Sequence, residues 1–491
     1  MDNAVADLTN DDLKRQIAIL EHKVAELTAK LDWYERQYRL AMQQRYGASS
    51  ERTPPEQRQL FNEAEAETKP TLPEPTVETI TYRRKKKVGH RQDMLNDLPI
   101  EVVEHRLSEE ERICERCGSV KHEMSKQVKR VLEIIPAQVK VREDVYFVYS
   151  CRTCEHTETT TPIVTAEMPA SVIPGSLASP SAIAHVMTQK YVMGIPLYRQ
   201  EQQFRQLGVE LSRQTLANWI LAASDRWLTP IYDRMRDHLL QQEVLHADET
   251  TLQVLREEGR KASTHSYLWL YRSGRDGPPI ILFDYQTTRS AKHPRRFLEG
   301  FKGYLHVDGY SGYDGLPKVT LVGCWAHARR KFDEALKALP PSSSGEPAAV
   351  QKGLEFCNRL FAIERDLKDV SVEERHRARL ERSKPVLDEF LAWLDEQSLK
   401  TLPKSALGQA IAYCHTQWSK LTAFLLDGRL ELDNNRSERS IKPFVIGRKN
   451  WLFSNTPRGA QASATIYSIV ETAIENGVIP FDVVVNHKTD H

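Results

Sequence analysis

Residues 243–255 read EVLHADETTLQVL, an apolar run with polar residues at its centre. Strand-like runs recur after it, bounded by turn residues: SYLWLYRS at 266–273, PIILFDYQT at 279–287, GYLHVDGY at 303–310 and VTLVGCWAH at 319–327. A helical stretch, SAKHPRRFLEGF, separates the third run from the fourth. The order three strands, helix, strand, short helix, strand predicts an α/β layer built around a mixed sheet.

Two acids lie in this predicted sheet. Asp248 is in the middle of the first strand and Asp308 ends the fourth, while a third acid, Glu438, lies on a predicted helix after a long insertion. A charge in a strand is costly to bury unless it is paired or binds a metal. Three carboxylates can hold two Mg²⁺ or Mn²⁺ ions for an in-line displacement at phosphorus. For each acid alone, a turn or cap role is the simpler interpretation.

The third acid stands in LDNNRSERSIKPFVIGRKNWLF (432–453), among basic residues that suit phosphates: Arg436, Arg439, Arg448 and Lys449. Its competitors as metal ligand are Glu431, Asp433 and Glu471. Asp433 suits an N-cap, and Pro443 predicts a brief or kinked helix. Asn434 and Glu438, four residues apart, should share one helix face. The alternatives are a solvated face or an ion pair of Glu438 with Lys442.

The N-terminal region 8–46 carries apolar residues spaced alternately four and three apart: Leu13, Ile17, Leu20, Val24, Leu27, Leu31, Tyr34 and Tyr38. This heptad pattern predicts a coiled coil, and hence a homodimer or a higher assembly. A single amphipathic helix packed on its own chain is the alternative.

The region 52–92 begins with a stretch, 52–78, that is rich in Pro and Glu, which predicts a flexible linker. The basic tract RRKKKVGHR follows at 83–91. Arg83, Arg84, Lys85, Lys86 and Lys87 could lie along DNA, or they could only keep the linker soluble.

Two CxxC pairs, CERC at 114–117 and CRTC at 151–154, predict a zinc ribbon over 93–165. Four thiolates, those of Cys114, Cys117, Cys151 and Cys154, complete a tetrahedral structural Zn²⁺ site with no open position. The residues between the pairs, 128–151, alternate like a hairpin. Four buried free cysteines are the alternative. Cys324, Cys357 and Cys414 are scattered and are interpreted as core residues.

The region 175–240 is helical, and residues 198–220 read as helix, turn, helix. Leu207-Gly208 closes the first helix and Ser212 caps the second. This is the size of a DNA-binding helix-turn-helix, although a generic helical hairpin fits equally well. The predicted α/β domain then comprises 243–335, a helical insertion at 336–428, and 429–491, where Gly477 ends a helix.

The 491 residues allow several domains, and a net charge of +1 says nothing about partners. No run of 18 apolar residues exists, which excludes a membrane span, and the acidic N-terminus lacks a signal-peptide core. We therefore expect a cytoplasmic protein.

The chain resembles transposases of the insertion-sequence 66 family, DDE-type enzymes with a ribonuclease-H-like core. The resemblance rests on HADETTLQV, YLHVDGYSGYDGL, GCWAHARRKFDEAL, YSIVETAIENG and above all DGRLELDNNRSERSIKPFVIGRKNWLFSN. It implies that Asp248, Asp308 and Glu438 are the DDE acids, supported by residues that match its other motifs: His327, Arg330, Asn434 and Asn435.

The resemblance also implies DNA partners, both terminal inverted repeats and target DNA, and companion proteins of the same element. It implies a bacterial protein that is associated with the nucleoid when it is bound to DNA. It weakens at GVIPFDVVVNHKTDH (477–491), where the family continues into a further helix with a Pro-Tyr start; we interpret this ending as truncated or frameshifted. The leading hypothesis is a transposase that cleaves and transfers strands. The others are a non-catalytic DNA-binding regulator derived from a transposase, and a nuclease or resolvase.

Overall fold

The computed structural model describes residues 171–339 and 346–486, together with 139–150, 163–168 and single positions between 20 and 28 and between 102 and 120. Two compact units divide the chain: one comprises Met1–Gly47 and Arg142–His491, the other Ala48–Val141. No helix in the described parts is long and apolar enough to cross a membrane.

The unit Ala48–Val141 contains most of the predicted zinc ribbon. The backbone of Ile113 pairs with that of Val120 in an antiparallel bridge, which brackets the first CxxC pair. The four cysteines of the predicted site lie outside the described residues, as do the linker and the basic tract. The zinc ligands therefore stay a prediction.

The predicted hairpin at 128–151 is wrong in its described part. Residues 139–147 have no regular structure. Strand β1 (Val148–Ser150) pairs antiparallel with β2 (Ile163–Thr165), a partner further along the chain. The two strands therefore flank the second CxxC, and β1 pairs across that CxxC rather than within the segment between the two CxxC pairs.

The predicted coiled coil lies mostly outside the described residues. Leu20 and Val24, two of its apolar positions, are helical, and their side chains are 58% and 62% exposed. The helix is thus present where it is described, and the assembly stays a prediction.

Helices precede the sheet as expected: α1 (Pro180–Tyr191), α2 (Leu197–Gln206), α3 (Arg213–Ala223) and α4 (Thr229–Leu240). Gly208 takes a positive φ of +83° after α2, and the Ser212 hydroxyl accepts a hydrogen bond from Thr215 N at the start of α3. The helix–turn–helix order is confirmed. Its role in DNA binding stays a prediction.

A five-stranded sheet follows, with the predicted element order. Its strands are β3 (Val244–Gln253), β4 (His265–Ser273), β5 (Ile281–Gln286), β6 (Gly303–Val307) and β7 (Val319–Gly323), and α5 (Lys292–Phe297) lies between β5 and β6. The spatial order is β5-β4-β3-β6-β7. Antiparallel pairing joins β3, β4 and β5, whereas β6 pairs parallel with β3, and β7 with β6. The mixed sheet is confirmed.

The region after β7 is helical, also as predicted. The helices are α6 (Trp325–Lys337), α7 (Glu346–Asp366), α8 (Val372–Ala378), α9 (Lys384–Lys400), α10 (Ala406–Thr422), α11 (Asn435–Trp451), α12 (Pro457–Glu475) and α13 (Pro480–Asn486). Gly477 follows α12 with a φ of +71°, as its terminator role requires. Helix α13 follows Gly477 and begins at a Pro-Phe pair, and Val483 and Val484 pack against the core. The interpretation of the ending as truncated or frameshifted stays a prediction.

The sheet separates two apolar layers. Leu245, Ala247 and Val307 face α4 and α5 on one side. On the other side, Leu268 and Phe283 pack against a layer formed by α1, α3 and α12. Helices α6, α7, α9 and α10 form a third cluster with Val322 of β7. The helical region before the sheet is therefore part of the sheet's own core, and the start of α6 lies beside the start of α11.

Candidate active site

The strand register places the two predicted aspartates side by side. In the parallel pair of β3 and β6, His246 lies opposite His306, with the same offset as Val244 and Tyr304. Two residues further along each strand are Asp248 and Asp308. Since side chains alternate between the two faces of a sheet, the side chains of both aspartates project from the same face as those of the two histidines. The carboxyl end of this parallel pair thus gathers two carboxylates.

The alternation along β3 explains why the chain tolerates an acid there. Leu245 and Ala247 face the apolar layer under α4 and α5 and are fully buried. Asp248 faces the opposite side, where it is half-buried. Its Oδ1 accepts a hydrogen bond from Glu249 N at 2.8 Å. Asp308 is similarly half-buried, and its Oδ1 accepts from Tyr310 N at 2.8 Å.

Helix α11 brings the third acid over this pair. Asn434, at the N-cap, is buried, and its Nδ2 donates to Ala247 O at 2.8 Å while its Oδ1 accepts from His246 Nδ1 at 2.9 Å. These bonds fix the start of the helix on β3, one residue from Asp248. Glu438 is one turn further along. The amide of Asn434 is thereby committed to β3, and it acts by placing the helix.

The first turn of α6 adds two groups that face Glu438. His327 Nδ1 lies 4.0 Å from Glu438 Oε1. Cys324 Sγ accepts a hydrogen bond from Asn434 N at 3.2 Å, and ligand atoms of Cys324, His327 and Glu438 lie within 4.8 Å of one another. Cys324 is a core residue, as expected, but it is one that borders the site. Cys357 and Cys414 are buried in the helical insertion.

Two buried atoms at this junction have no hydrogen-bond partner among the described residues. They are His327 Nδ1 and Glu438 Oε1. Buried polar atoms are rarely left unsatisfied in folded proteins, so each requires an explanation. A bound cation or substrate oxygen would satisfy both.

Burial and neighbouring charges shift the pKa values of two residues at the site. Burial raises the pKa of Asp248 well above its usual range, and the charges of Glu249, Asp308 and Glu438 add to the effect. Burial and the nearby charge of Arg330 lower the pKa of His327, which keeps its imidazole neutral near pH 7. The site therefore concentrates negative charge that a divalent cation would neutralise.

A fourth acid, Glu249, was not singled out from the sequence. It leaves β3 on the face opposite Asp248, where Arg289 Nε donates to its Oε1 and the Tyr313 hydroxyl to its Oε2, both at 2.7 Å. Burial raises the pKa of Glu249, and the charge of Asp308 raises it further. The carboxylate of Glu249 is thus paired with Arg289, whereas that of the adjacent Asp248 lies on the opposite face of the sheet.

Two competitors of Glu438, Glu431 and Asp433, are held by other contacts. Glu431 accepts from Arg436 Nε at 2.9 Å and lies 3.0 Å from His246 Nε2. These partners lower its pKa although burial opposes them. Asp433 accepts from Asn435 N at 3.0 Å, which confirms that its carboxylate is occupied at the helix start, although the N-cap itself is Asn434.

Helix α11 is longer than the sequence indicated, since it runs through Pro443 to Trp451. Pro443 leaves the carbonyl of Arg439 without its helical donor. Arg439 is exposed, so water can satisfy that carbonyl, while Ile441 and Phe444 bury the opposite side of the helix. Core packing therefore outweighs the cost of the proline, and the prediction of a brief helix is wrong.

The predicted DNA-contacting arginines and lysines of α11 separate into two groups. Arg436 is held by Glu431, and Arg448 reaches the Thr251 carbonyl of β3. Arg439 and Lys449 are exposed. Lys442, which was expected only as a possible ion-pair partner of Glu438, is exposed as well. The exposed set lies on one face of the helix.

Among the described residues, the possible metal ligands whose atoms lie close together are Cys324, His327 and Glu438, a group that does not include the carboxylates of Asp248 and Asp308. Three carboxylates are still contributed to this side of the sheet, by β3, by the residue after β6 and by α11, and Oε1 of Glu438 has no hydrogen-bond partner among the described residues. Hard cations such as Mg²⁺ take such oxygens. Asp248, Asp308 and Glu438 would be the ligands.

Comparisons with known proteins identify three matching family models. One described as Transposase IS66 family matches residues 175–462. One described as zinc-finger binding domain of transposase IS66 matches 111–155, a range that includes both CxxC pairs. A third, described as Transposase C of IS166 homeodomain, matches 33–103.

Similar curated proteins come from Sinorhizobium fredii (strain NBRC 101917 / NGR234). Uncharacterized protein y4jD is 33% identical over 386 residues, which cover 76% of this chain and 73% of the relative. Uncharacterized protein y4hP is 31% identical over 386 residues, covering 75% and 68%.

Proposed function

The chain belongs to the IS66 transposase family, and from that premise we propose that it catalyses metal-dependent cleavage and transfer of DNA strands at the ends of an insertion sequence. The observation that supports the proposal is the strand register that puts Asp248 and Asp308 on one face of the sheet, together with the start of α11, which carries Glu438 and is anchored to β3 by Asn434. The three carboxylates come from β3, from the residue after β6 and from α11. We also propose that the sheet, with order β5-β4-β3-β6-β7, is a ribonuclease-H-like core.

Divalent ions held by the three acids would polarise the scissile phosphate and activate the attacking oxygen. Asp248 and Asp308 would hold them against the sheet, and Glu438 would close the site from above. In the first step, a water oxygen attacks phosphorus and its proton passes to solvent, while the bond to the 3′ oxygen breaks and the departing 3′ oxygen takes up a proton from solvent. In the second, the freed 3′-hydroxyl attacks a target phosphodiester in the same way.

Neighbouring side chains would orient the DNA. The neutral His327 Nδ1 can hydrogen-bond a phosphate oxygen or its attacking group, since it faces Glu438. Arg330 follows His327 by one turn and brings positive charge to the same junction. We propose that Arg439 and Lys449 contact the DNA backbone, and that the tract from Arg83 to Lys87 adds sequence-independent affinity.

The zinc-finger domain would present the element end to this core. We propose that Cys114, Cys117, Cys151 and Cys154 hold its structural Zn²⁺, with the strand β1 ending directly before Cys151. We also propose self-association through residues 8–46, supported by the exposed apolar positions Leu20 and Val24. Companion proteins of the same element remain an implication of the family.

Cleavage of a labelled terminal-repeat duplex with Mg²⁺ tests the proposal. The wild type should nick the duplex at the element end, whereas Asp248→Asn, Asp308→Asn and Glu438→Gln should abolish nicking yet still bind the duplex. Glu471→Gln is the matched control, since Glu471 lies buried in α12 and should be dispensable. Tight binding without any cleavage by the wild type would favour the regulator instead.

A further inference from the structure

The exposed face of α11 carries a stripe of three basic side chains with one apolar side chain among them. Arg439, Lys442, Ile446 and Lys449 are all exposed and are spaced three, four and three residues apart, so they share one side of the helix. No Asp or Glu occurs in the sequence from Arg439 through Val470. The stripe begins beside Glu438 and ends at the last turn of the helix.

A strained turn follows the stripe. Leu452 has φ +66° and ψ −51°, and Phe453 N donates to Trp451 O at 2.8 Å, which closes a γ-turn of the rare positive-φ kind. A β-carbon at this φ is unfavourable, so the turn persists only because its surroundings hold it.

The turn is held on both sides. Leu452 N donates to Arg448 O at 2.7 Å, which anchors it to the helix. On the other side, Ser454 N donates to Gln253 O at 2.9 Å and Leu255 N to Ser454 O at 3.0 Å. The tip therefore sits on an extension of β3, the strand that also carries Asp248.

The held tip displays two large apolar side chains to solvent. Leu452 is 63% exposed and Phe453 is 42% exposed. Single exposed apolar residues are ordinary on protein surfaces. Here two are adjacent, on a strained backbone. Charges nearby are mainly positive: Lys449 and Arg256 are exposed, Glu257 is buried against Arg260, and Glu258 is the exposed acid of that loop.

We propose that Leu452 and Phe453 form a wedge that enters a base step of bound DNA. Apolar wedges between bases and aromatic stacking on unpaired bases are known ways for proteins to deform DNA, and a basic stripe supplies the complementary charge for the phosphates beside them. The inference rests on the proposed function, because it requires DNA at the site.

The geometry sets where the wedge acts. Phe453 follows Glu438 by fifteen residues, about 22 Å at 1.5 Å per residue. With base pairs about 3.4 Å apart, the unstacked step lies within about seven base pairs of the cleaved phosphate.

Fluorescence of 2-aminopurine, placed in turn at each of those positions of a terminal-repeat duplex, tests the wedge in the full-length protein. One position should brighten on binding, which reports unstacking. A mismatch there should tighten wild-type binding about tenfold, because a mismatched base costs less to unstack. Phe453→Ala should lose both effects, and Phe453→Trp should keep them.

Two further variants keep the result interpretable. Leu399→Ala removes a side chain that is 88% exposed on α9, away from the stripe, and should behave as wild type. Leu452→Gly removes the second wedge residue while relieving the strained φ, so it should fold well and still lose the mismatch preference.

The outcomes separate the two proposals. A wild type that neither binds nor cleaves the duplex would contradict the proposed function. A wild type that binds and cleaves, with no position brightened or with Phe453→Ala unchanged, would overturn the wedge alone. Loss of self-association in light scattering by Phe453→Ala, with the DNA signals intact, would also overturn it and indicate a protein interface.

Discussion

Replacing Asn434 by Ala should separate the placement of α11 from the rest of the fold. The change deletes the hydrogen bond to Ala247 O at 2.8 Å and the one from His246 Nδ1 at 2.9 Å. Asn434, Ala247 and His246 are all fully buried or nearly so, and water cannot easily replace the lost partners. At about 1–3 kcal/mol for each of the two unsatisfied groups, the expected loss of stability is about 2–6 kcal/mol.

The neighbouring amide provides the control. Asn435 Nδ2 donates to Asp433 Oδ2 at 2.7 Å, but Asn435 is only half-buried and contacts no strand in that bond. Asn435→Ala should cost less than about 1 kcal/mol, as for a partly exposed hydrogen bond. Urea unfolding, followed by circular dichroism, measures both variants under the same conditions.

A second readout distinguishes positioning from general destabilisation. If Asn434 places Glu438, its loss should raise the Mg²⁺ concentration for half-maximal cleavage by about tenfold or more, as loss of a residue that orients a metal ligand does. A smaller folded fraction alone would lower the rate without moving that concentration. Equal stabilities for the two variants, with the Mg²⁺ dependence unchanged, would refute the reasoning.

Three other predictions concern separate parts of the chain. Burial and the charge of Glu475 raise the pKa of Glu471 to about 7, so the stability that its protonated form contributes is lost as pH rises from about 4.5 through 7. Glu471→Gln should therefore add up to about 3 kcal/mol to the free energy of unfolding at pH 8.5 and little at pH 4. Urea titration at both pH values measures this difference. Elemental analysis should find about one zinc per chain in the wild type and none in Cys114→Ser; retention of zinc by a folded variant would exclude Cys114 as a ligand. Deleting residues 1–45 should lower the mass measured by light scattering, whereas an unchanged mass would mean that the helix packs within its own chain.

The sheet could be predicted from the sequence because its strands carry local signals. Each strand is a short apolar run between turn residues, and that pattern predicts the number of strands and their order along the chain. Asp248 and Asp308 stood out because charges in such runs need partners. The register that brings them together, with His246 opposite His306, depends on contacts between strands far apart in sequence.

The remaining parts of the site depend on packing that a single sequence does not reveal. Cys324 looked like any buried cysteine, since its closeness to Glu438 follows from the meeting of α6 and α11. Glu249 is adjacent to Asp248 in the sequence, and it is distinguished by its ion pair with Arg289, a residue from another segment of the chain. The length of α11 was underestimated because Pro443 is a local signal that core packing overrides.

Electron paramagnetic resonance of Mn²⁺ added to the zinc-loaded protein tests most directly whether the three acids form a metal centre. The wild type should bind Mn²⁺ in competition with Mg²⁺, and Glu438→Gln should weaken that binding by about tenfold or more, since one of three carboxylate ligands is lost. Glu471→Gln should bind as the wild type does. Equal Mn²⁺ affinity in the wild type and Glu438→Gln would contradict the assignment of Glu438, and with it the proposed centre.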